Sequence, residues 1–364
     1  MRLRPFLWLL CLLVLLPACS DSGVVDPLPD PEPEAPTYPG AEAAGLDGVR
    51  IARVVARADS GDFGEIRSLL ISRDGNLIVE EYFRGITAEE ARPIYSVTKS
   101  FASALIGIAI HAGHIGSLES TLPEYFPNYS VPSEAAGITL ENLLTMRAGF
   151  EWDEWTVPYG GAANSATAIS RSGDVVQYML DLPITSDPGT RFTYSSGVSM
   201  LLSGVLQHAT GATTEAYADA TIFEAVSLGS PRWDESMPGM TNTGWGLHLT
   251  ARQLMAFGQL FENRGWHNGE EVVPRSWVDL STSQHTTTNN GLAYGFQWWR
   301  FRNGDSVVSS LNQNDVYFAW GYGGQFVFVV PHKDVVIVTT AGNFEQDSRV
   351  TFDMLEEEIF PALR

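Results

Sequence analysis

Hydrophobic positions alternate or run together near both ends of the 364-residue chain and recur at helical spacing in its middle, and this contrast predicts the architecture. Residues 67–72 and 76–83 are rich in β-branched and aromatic side chains and are joined through Asp74-Gly75, a dipeptide that favours a tight hairpin turn. The body is therefore expected to open with a two-stranded ribbon. Further strands are expected at 294–301, 315–320, 325–330 and 334–340, interrupted by Asn303-Gly304 and Pro331-His332. Residues 349–360 carry Val350, Met354, Leu355 and Ile359 at helical spacing and predict a helix lying across the sheet. In the middle, Val97, Phe101, Ala104, Leu105 and Ile108 form one stripe, and Val198, Leu201, Leu202, Val205 and Leu206 another. The expected fold is α+β: an antiparallel sheet built from both chain ends and flanked by helices, with a mainly helical region inserted. Residues 46–95 and 245–364 supply the sheet region and 96–244 the helices. Hairpin-like spacing, rather than strand-helix-strand units, makes the sheet antiparallel.

The N-terminus reads as an address. Arg2 and Arg4 precede an apolar run of eleven residues, 6–16, where a spanning helix needs about twenty. Residues 1–18 are thus expected to be an export signal rather than an anchor helix. The sequence Leu16-Pro17-Ala18-Cys19 resembles the lipobox of bacterial lipoproteins. That resemblance implies lipidation of Cys19 and attachment to a membrane in the cell envelope, with Ser20 pointing to the outer membrane. An ordinary secretory signal cut after Ala18, leaving a periplasmic or secreted protein, is the alternative, because a small residue before the cut serves both peptidases. Residues 19–45 are acidic and Pro-rich, including Pro27-Leu28-Pro29-Asp30-Pro31-Glu32-Pro33, and are expected to form a tether. If Cys11 leaves with the signal and Cys19 carries lipid, no thiol remains for a disulfide.

Composition narrows the function. With 44% hydrophobic residues, ten Trp and eighteen Phe, the chain can bury a substantial core. A formal charge of −21, from 22 basic and 43 acidic side chains, leaves no broad cationic surface for a phosphate backbone, so nucleic acid is not an expected partner. Among the 22 basic residues only Lys99 and Lys333 are lysines. Lys99 closes Ser96-Val97-Thr98-Lys99 at the start of the first central helix, where residues three apart share one face. A Ser hydroxyl needs a base to become a nucleophile, and a Lys serves only when burial or nearby positive charge keeps its amine neutral. Arg stays protonated and cannot. Ser is also a preferred helix cap, so Ser96 has a structural reading as well. The seven His form no H-E-x-x-H, and Gly321, Gly323 and Gly324 follow a strand without opening a helix, so neither a metal nor a dinucleotide cofactor is expected.

Further segments join this motif. They are Ile94-Tyr95 before Ser96, the stretch 138–146 followed by Gly149, Pro188-Gly189-Thr190 leading to Tyr194-Ser195-Ser196, 246–254, and Gly321-Tyr322-Gly323-Gly324-Gln325 after a strand. Over about residues 50–360 the chain resembles the serine β-lactamase and penicillin-binding-protein superfamily. The likeness is greatest to its class C branch, with its esterases, D-peptidases and 6-aminohexanoate-oligomer hydrolases. The resemblance implies Ser96 as nucleophile, Lys99 as proton acceptor and Tyr194 as the group that passes the proton on, with the working base open between Lys99 and Tyr194. It also implies an oxyanion hole from the Ser96 and Gln325 backbone N–H groups. Two positions depart from the pattern. Ser196 stands where class C has Asn, and is either a substrate contact or the cap of the second central helix. Tyr322-Gly323-Gly324 stands where true lactamases have Lys-Thr-Gly, removing the cation that pairs with a substrate carboxylate and favouring neutral esters or amides. Trp152 and Trp155, in a loop that also resembles the oligomer-hydrolase branch, are either an apolar wall over the scissile bond or ordinary packing. The expected activity is serine hydrolysis of a small ester or amide through an acyl-enzyme. The alternatives are a D-amino-acid peptidase or penicillin-binding carboxypeptidase acting on cell-wall peptides, and a catalytically silent envelope binding protein of the same fold.

Overall fold

Asp74 and Gly75 both adopt positive φ, 50° and 71°, which turns the chain tightly between strands β1 (Ile66–Arg73) and β2 (Asn76–Tyr82). The structure, a computed structural model, describes residues 36–311, 313–345 and 349–363. The expected export signal, Cys19 and most of the expected tether lie outside the described residues. The remaining strands of the main sheet are β3 (Thr286–Thr287), β4 (Ala293–Tyr294), β5 (Trp299–Arg300), β6 (Tyr317–Gly321), β7 (Gln325–Val330) and β8 (Val335–Ala341). They lie in the order β2-β1-β8-β7-β6-β5-β4-β3, every neighbouring pair antiparallel. The hairpin near the N-terminus joins the last strand through β1, where Ser68 faces Thr340 and their hydroxyls bond at 2.7 Å. Both chain ends build the sheet, as the alternation of the sequence implies.

β7 and β8 are buried along their whole lengths because helices cover both faces of the sheet. Helix α1 (Gly48–Ser60), α2 (Thr98–His111), α3 (Ser196–Thr210), α4 (Ala251–Glu262) and α5 (Arg349–Met354) are the elements that matter for the site. A Cβ on Gly258 of α4 would lie 2.5 Å from Val336 and 2.7 Å from Val327, so that helix sits directly on the sheet. Phe326 and Phe328, which alternate with Val327 and point to the opposite face, meet the α5 residue Phe352.

Four readings of the sequence need correction. The body opens with α1, not with the hairpin: the Asp47 side chain accepts from the Val49 and Arg50 N–H groups, and Gly61 ends the helix at φ 94°. The tether ends before residue 45, since Ala41 and Leu46 are fully buried and the Tyr38 hydroxyl donates to Glu81 at 2.9 Å. Residues 294–301 are not one strand but the paired β4 and β5 around a bend at Gln297, whose φ is 62°. Its N–H donates to the Leu144 carbonyl, while its side chain donates to Leu143 and Leu144 and accepts from the Ser199 hydroxyl. The C-terminal helix is interrupted, passing from α5 through a wider π-helical stretch, Leu355–Ile359, to a last turn.

The helical region packs α2 against α3 and the sheet. Phe101 of α2 stacks on Phe257 of α4 with centroids 3.6 Å apart, and Gly107 lets Trp277 lie against the α2 backbone. A Cβ there would fall 2.2 Å from the indole. Gly107→Ala gains about 1 kcal/mol of helix propensity but meets a ring that is itself packed, and overpacking costs about 1–3 kcal/mol. The variant is expected to melt several degrees below the wild type in calorimetry; an unchanged or higher Tm counts against this packing.

Candidate active site

Tyr95–Val97 forms a single 3₁₀ turn that leads directly into α2. Val97 rather than Ser96 occupies the cap position, so the helix-cap reading of Ser96 falls away. Tyr95 holds φ 48°, an unfavourable value for a ring-bearing residue, while its ring packs edge-on against Tyr322 and near Phe344, each at 5.7 Å. Aromatic packing thus fixes the turn that presents Ser96.

One helical turn on, Lys99 is 1% exposed, and its Nζ donates to Ser96 Oγ at 2.9 Å, Ser196 Oγ at 3.1 Å and the Gly244 carbonyl at 2.7 Å. The amine lies 5.0 Å from the centre of the Tyr194 ring. Burial pulls the Lys99 pKa down from 10.5 to about 8, against the opposing pull of Glu154. Burial and the Glu154 charge push the Tyr194 phenol well above its usual range, and a hydrogen bond with Ser96 only partly offsets them. Ser96, Lys99 and Tyr194 are therefore brought together, with the amine the more readily deprotonated of the two flanking groups.

Glu154 is a member of this site that sequence reasoning passed over. Only 3% exposed, it accepts through Oε2 from the Ser196 N–H at 2.8 Å and Trp152 Nε1 at 2.7 Å, and through Oε1 from the Ser196 hydroxyl at 2.9 Å and the Tyr159 hydroxyl at 3.2 Å. Ser196 is not the cap of α3; Ser195 is, accepting from the Val198 N–H at 3.1 Å. Trp152 is buried against Gly197, where a Cβ would approach the indole to 2.8 Å, and it does not reach the cavity in front of Ser96. Its role is to pack and to hold Glu154. Trp155 is about half exposed and stacks on Tyr194 at 5.2 Å and Trp299 at 6.2 Å, covering the phenol rather than the Ser96 hydroxyl.

Ser96 opens onto a cavity of about 260 Å³ lined by Tyr95, Tyr159, Thr167, Ser196, Trp245 and Tyr322, with no charged side chain on its wall among the described residues. Tyr159 and Tyr322 meet across it with centroids 4.8 Å apart. The Tyr322 hydroxyl donates to the Phe344 carbonyl at 2.8 Å, which leaves the ring face towards the cavity residues. Gly323 and Gly324 have φ 81° and 97°, and a Cβ on Gly323 would lie 2.4 Å from the Phe344 ring, so the turn needs both glycines. Gln325 pairs with Gly321 across this turn; its side chain donates to the Tyr322 and Ala341 carbonyls and accepts from the Ala341 N–H. The Gln325 side chain thus braces the turn and is absent from the cavity wall. Among the described residues, no group of three His, Cys, Asp or Glu is placed to hold a metal ion, and no helix is long and apolar enough to cross a membrane.

Comparison with known proteins matches this geometry to a family. Residues 67–353 match the Beta-lactamase family profile. The 6-aminohexanoate-dimer hydrolase of Paenarthrobacter ureafaciens is 24% identical over 311 residues, covering 78% of this chain and 74% of its own length. A putative 6-aminohexanoate-dimer hydrolase from Bacillus anthracis superposes with a TM-score of 0.70 at 21% identity, covering 82% of this chain and 80% of its own. EstCE1, a hydrolase with promiscuous acyltransferase activity, superposes with a TM-score of 0.69 at 15% identity, covering 88% and 99%. With its profile match spanning most of the body and its sheet and helices arranged as in these proteins, the chain belongs to the Beta-lactamase family and is a hydrolase of that family.

Proposed function

We propose that the protein cleaves small, uncharged carboxylic esters or amides through a covalent acyl-enzyme on Ser96. The observation that carries this reading is the buried Lys99 amine, 2.9 Å from Ser96 Oγ and drawn down to about pH 8. Ser96 Oγ attacks the carbonyl carbon while its proton passes to the neutral Lys99 amine. The negative charge that develops on the carbonyl oxygen is received by the Ser96 N–H and a backbone N–H of the 322–325 turn. Tyr194, which keeps its proton, hands it to the departing oxygen or nitrogen and is resupplied from Lys99. Water then attacks the acyl carbon while one of its protons passes to the same pair, and as the bond to Ser96 Oγ breaks that proton returns to Oγ, releasing the acid and the free hydroxyl.

The uncharged wall of the cavity supports a neutral acyl group, and Tyr322 offers no cation for a substrate carboxylate. The names of the relatives, a 6-aminohexanoate-dimer hydrolase and a hydrolase with acyltransferase activity, agree with cleavage at an acyl carbon, and the uncharged wall sets this chain's substrate apart from the dimer, which carries an ammonium and a carboxylate. Intact-mass analysis after exposure to p-nitrophenyl butyrate, the neutral amide p-nitrobutyranilide and benzylpenicillin tests it. Turnover of the ester or amide, with an acyl adduct on Ser96, is expected; a lasting penicilloyl adduct together with D-alanine release from a cell-wall peptide would replace it with the carboxypeptidase reading. We further propose that lipid on Cys19 holds the enzyme at the cell envelope. Palmitate labelling that persists in Cys19→Ala would overturn that.

A further inference from the structure

The geometry points to Glu154 as a positioning residue that acts through the Ser196 hydroxyl to aim the Lys99 lone pair at Ser96. The inference rests on the acyl-enzyme reading above and concerns the direction of hydrogens within it. The Gly244 carbonyl can only accept, so one Lys99 N–H is committed to it at 2.7 Å. Ser196 has a single hydroxyl proton, and the Glu154 carboxylate 2.9 Å away can only accept it. The Ser196 oxygen must therefore accept from Lys99, committing a second N–H at 3.1 Å. A neutral amine has two N–H bonds and one lone pair, and the remaining direction is the one to Ser96 Oγ at 2.9 Å. Without Glu154, the Ser196 hydroxyl is free to turn its proton onto that lone pair and compete with the nucleophile.

Glu154→Gln tests this because the rest of the network dictates how the amide sits. Ser196 N–H and Trp152 Nε1 both donate to Oε2 and have no other option, so the Gln oxygen takes that place. The amide NH₂ then faces Ser196 and Tyr159 and donates to the Ser196 oxygen, whose own proton swings towards Lys99. The buried Ser196 N–H and Trp152 Nε1 donors stay satisfied, the hydroxyl of the partly exposed Tyr159 turns its proton away and accepts from the amide, and the fold is retained. The charged and titratable groups that face this cluster are Lys99, Tyr159, Tyr194 and Tyr294.

The experiment is the rate of Ser96 labelling by a fluorophosphonate as a function of pH, in the full-length protein. Wild type must label and Ser96→Ala must not; failure there removes the catalytic reading itself. Glu154→Gln is expected to lower the high-pH plateau by ~10²-fold. Its acid limb is expected to move below that of wild type, because the negative charge that favoured protonated Lys99 is gone. Loss of fold alone lowers the amplitude without moving that limb. Ser196→Ala is expected to lose ~10-fold, and the double variant to match Ser196→Ala within about twofold, since Glu154 then has nothing to aim. Multiplicative losses in the double variant, or a Glu154→Gln plateau within about twofold of wild type, overturn the proposal while leaving Ser96 as nucleophile. If Glu154→Gln does not fold, a wild-type plateau in Ser196→Ala overturns it alone.

Discussion

Ser96→Ala is expected to lower kcat for a short-chain p-nitrophenyl ester by ~10⁴–10⁶-fold, a loss typical of removing the nucleophile from a unit whose members fail together. The magnitude follows from the surroundings. Without Oγ, the Lys99 amine loses the hydroxyl that would attack and keeps only the Ser196 hydroxyl, whose proton is held by Glu154, and the Gly244 carbonyl, which cannot act as a nucleophile. A water admitted in place of the hydroxyl is not held on a covalent tether, and what survives is the part contributed by backbone donors and binding. The fold is unaffected, because Val97 rather than Ser96 caps α2 and Tyr95 anchors the turn through its ring. An unchanged Tm with lost turnover is the expected pair of results. A variant that keeps more than about a hundredth of wild-type kcat, a loss far short of that for an essential nucleophile, would mean that Ser96 is not attacked by substrate.

How far the site was legible depended on the distance over which its contacts are made. Ser96 and Lys99 sit within one helical turn, so spacing alone placed them on one face. Tyr194 is remote in sequence and was reached through the flanking segments that resemble the family. Glu154 lies in a loop that also resembles the family, between Trp152 and Trp155, but there the aromatic residues draw the eye and the carboxylate does not. It is one of 43 acidic residues, its partner Ser196 lies 42 positions away, and nothing local marks a carboxylate that will be buried under four donors. The same distinction runs through the fold. β7 and β8 carry the runs 326–330 and 335–338, whose β-branched and aromatic residues mark them as strands, whereas the bend that splits β4 from β5 is held by Gln297 reaching Leu143, Leu144 and Ser199. Local alternation of aromatic residues could not reveal that bend. Helix α1 is a different kind of omission. Asp47 and Gly61 punctuate it and Ile51, Val54 and Ala58 form its buried stripe, but Arg50, Arg53 and Arg57 obscure how narrow that stripe is. Arg53 and Arg57 have a use only in the folded state, where both bond the buried Glu358 near the C-terminus.

Lys99→Arg is expected to be as damaging as Lys99→Ala, each lowering kcat/KM by ~10³–10⁴-fold, at the upper end of what a general base contributes. A guanidinium keeps positive charge in the site but remains protonated at every working pH, so it cannot take the Ser96 proton. Substantial activity in the Arg variant would show that charge, not proton acceptance, is the function of this position. The wild-type pH profile carries the same argument. Because the Lys99 pKa is drawn down from 10.5 to about 8, kcat/KM should rise about tenfold per pH unit on the acid side and level off above pH 8. Tyr194 is pushed the other way, so its ionisation imposes no fall near pH 10. Stability has its own signature. Between about pH 8 and 10.5 the unfolded chain holds a proton on this amine that the folded chain has released, so stability from Lys99 increases with pH across that window. Below pH 8 both states are protonated, and the cost of a buried ammonium is fully present. Lys99→Met removes the titrating group, and its unfolding free energy should lose that rise between pH 8 and 10.5 while turnover stays absent. If the rise persists in Lys99→Met, another group titrates there and the acid limb of the wild-type profile must be assigned to it.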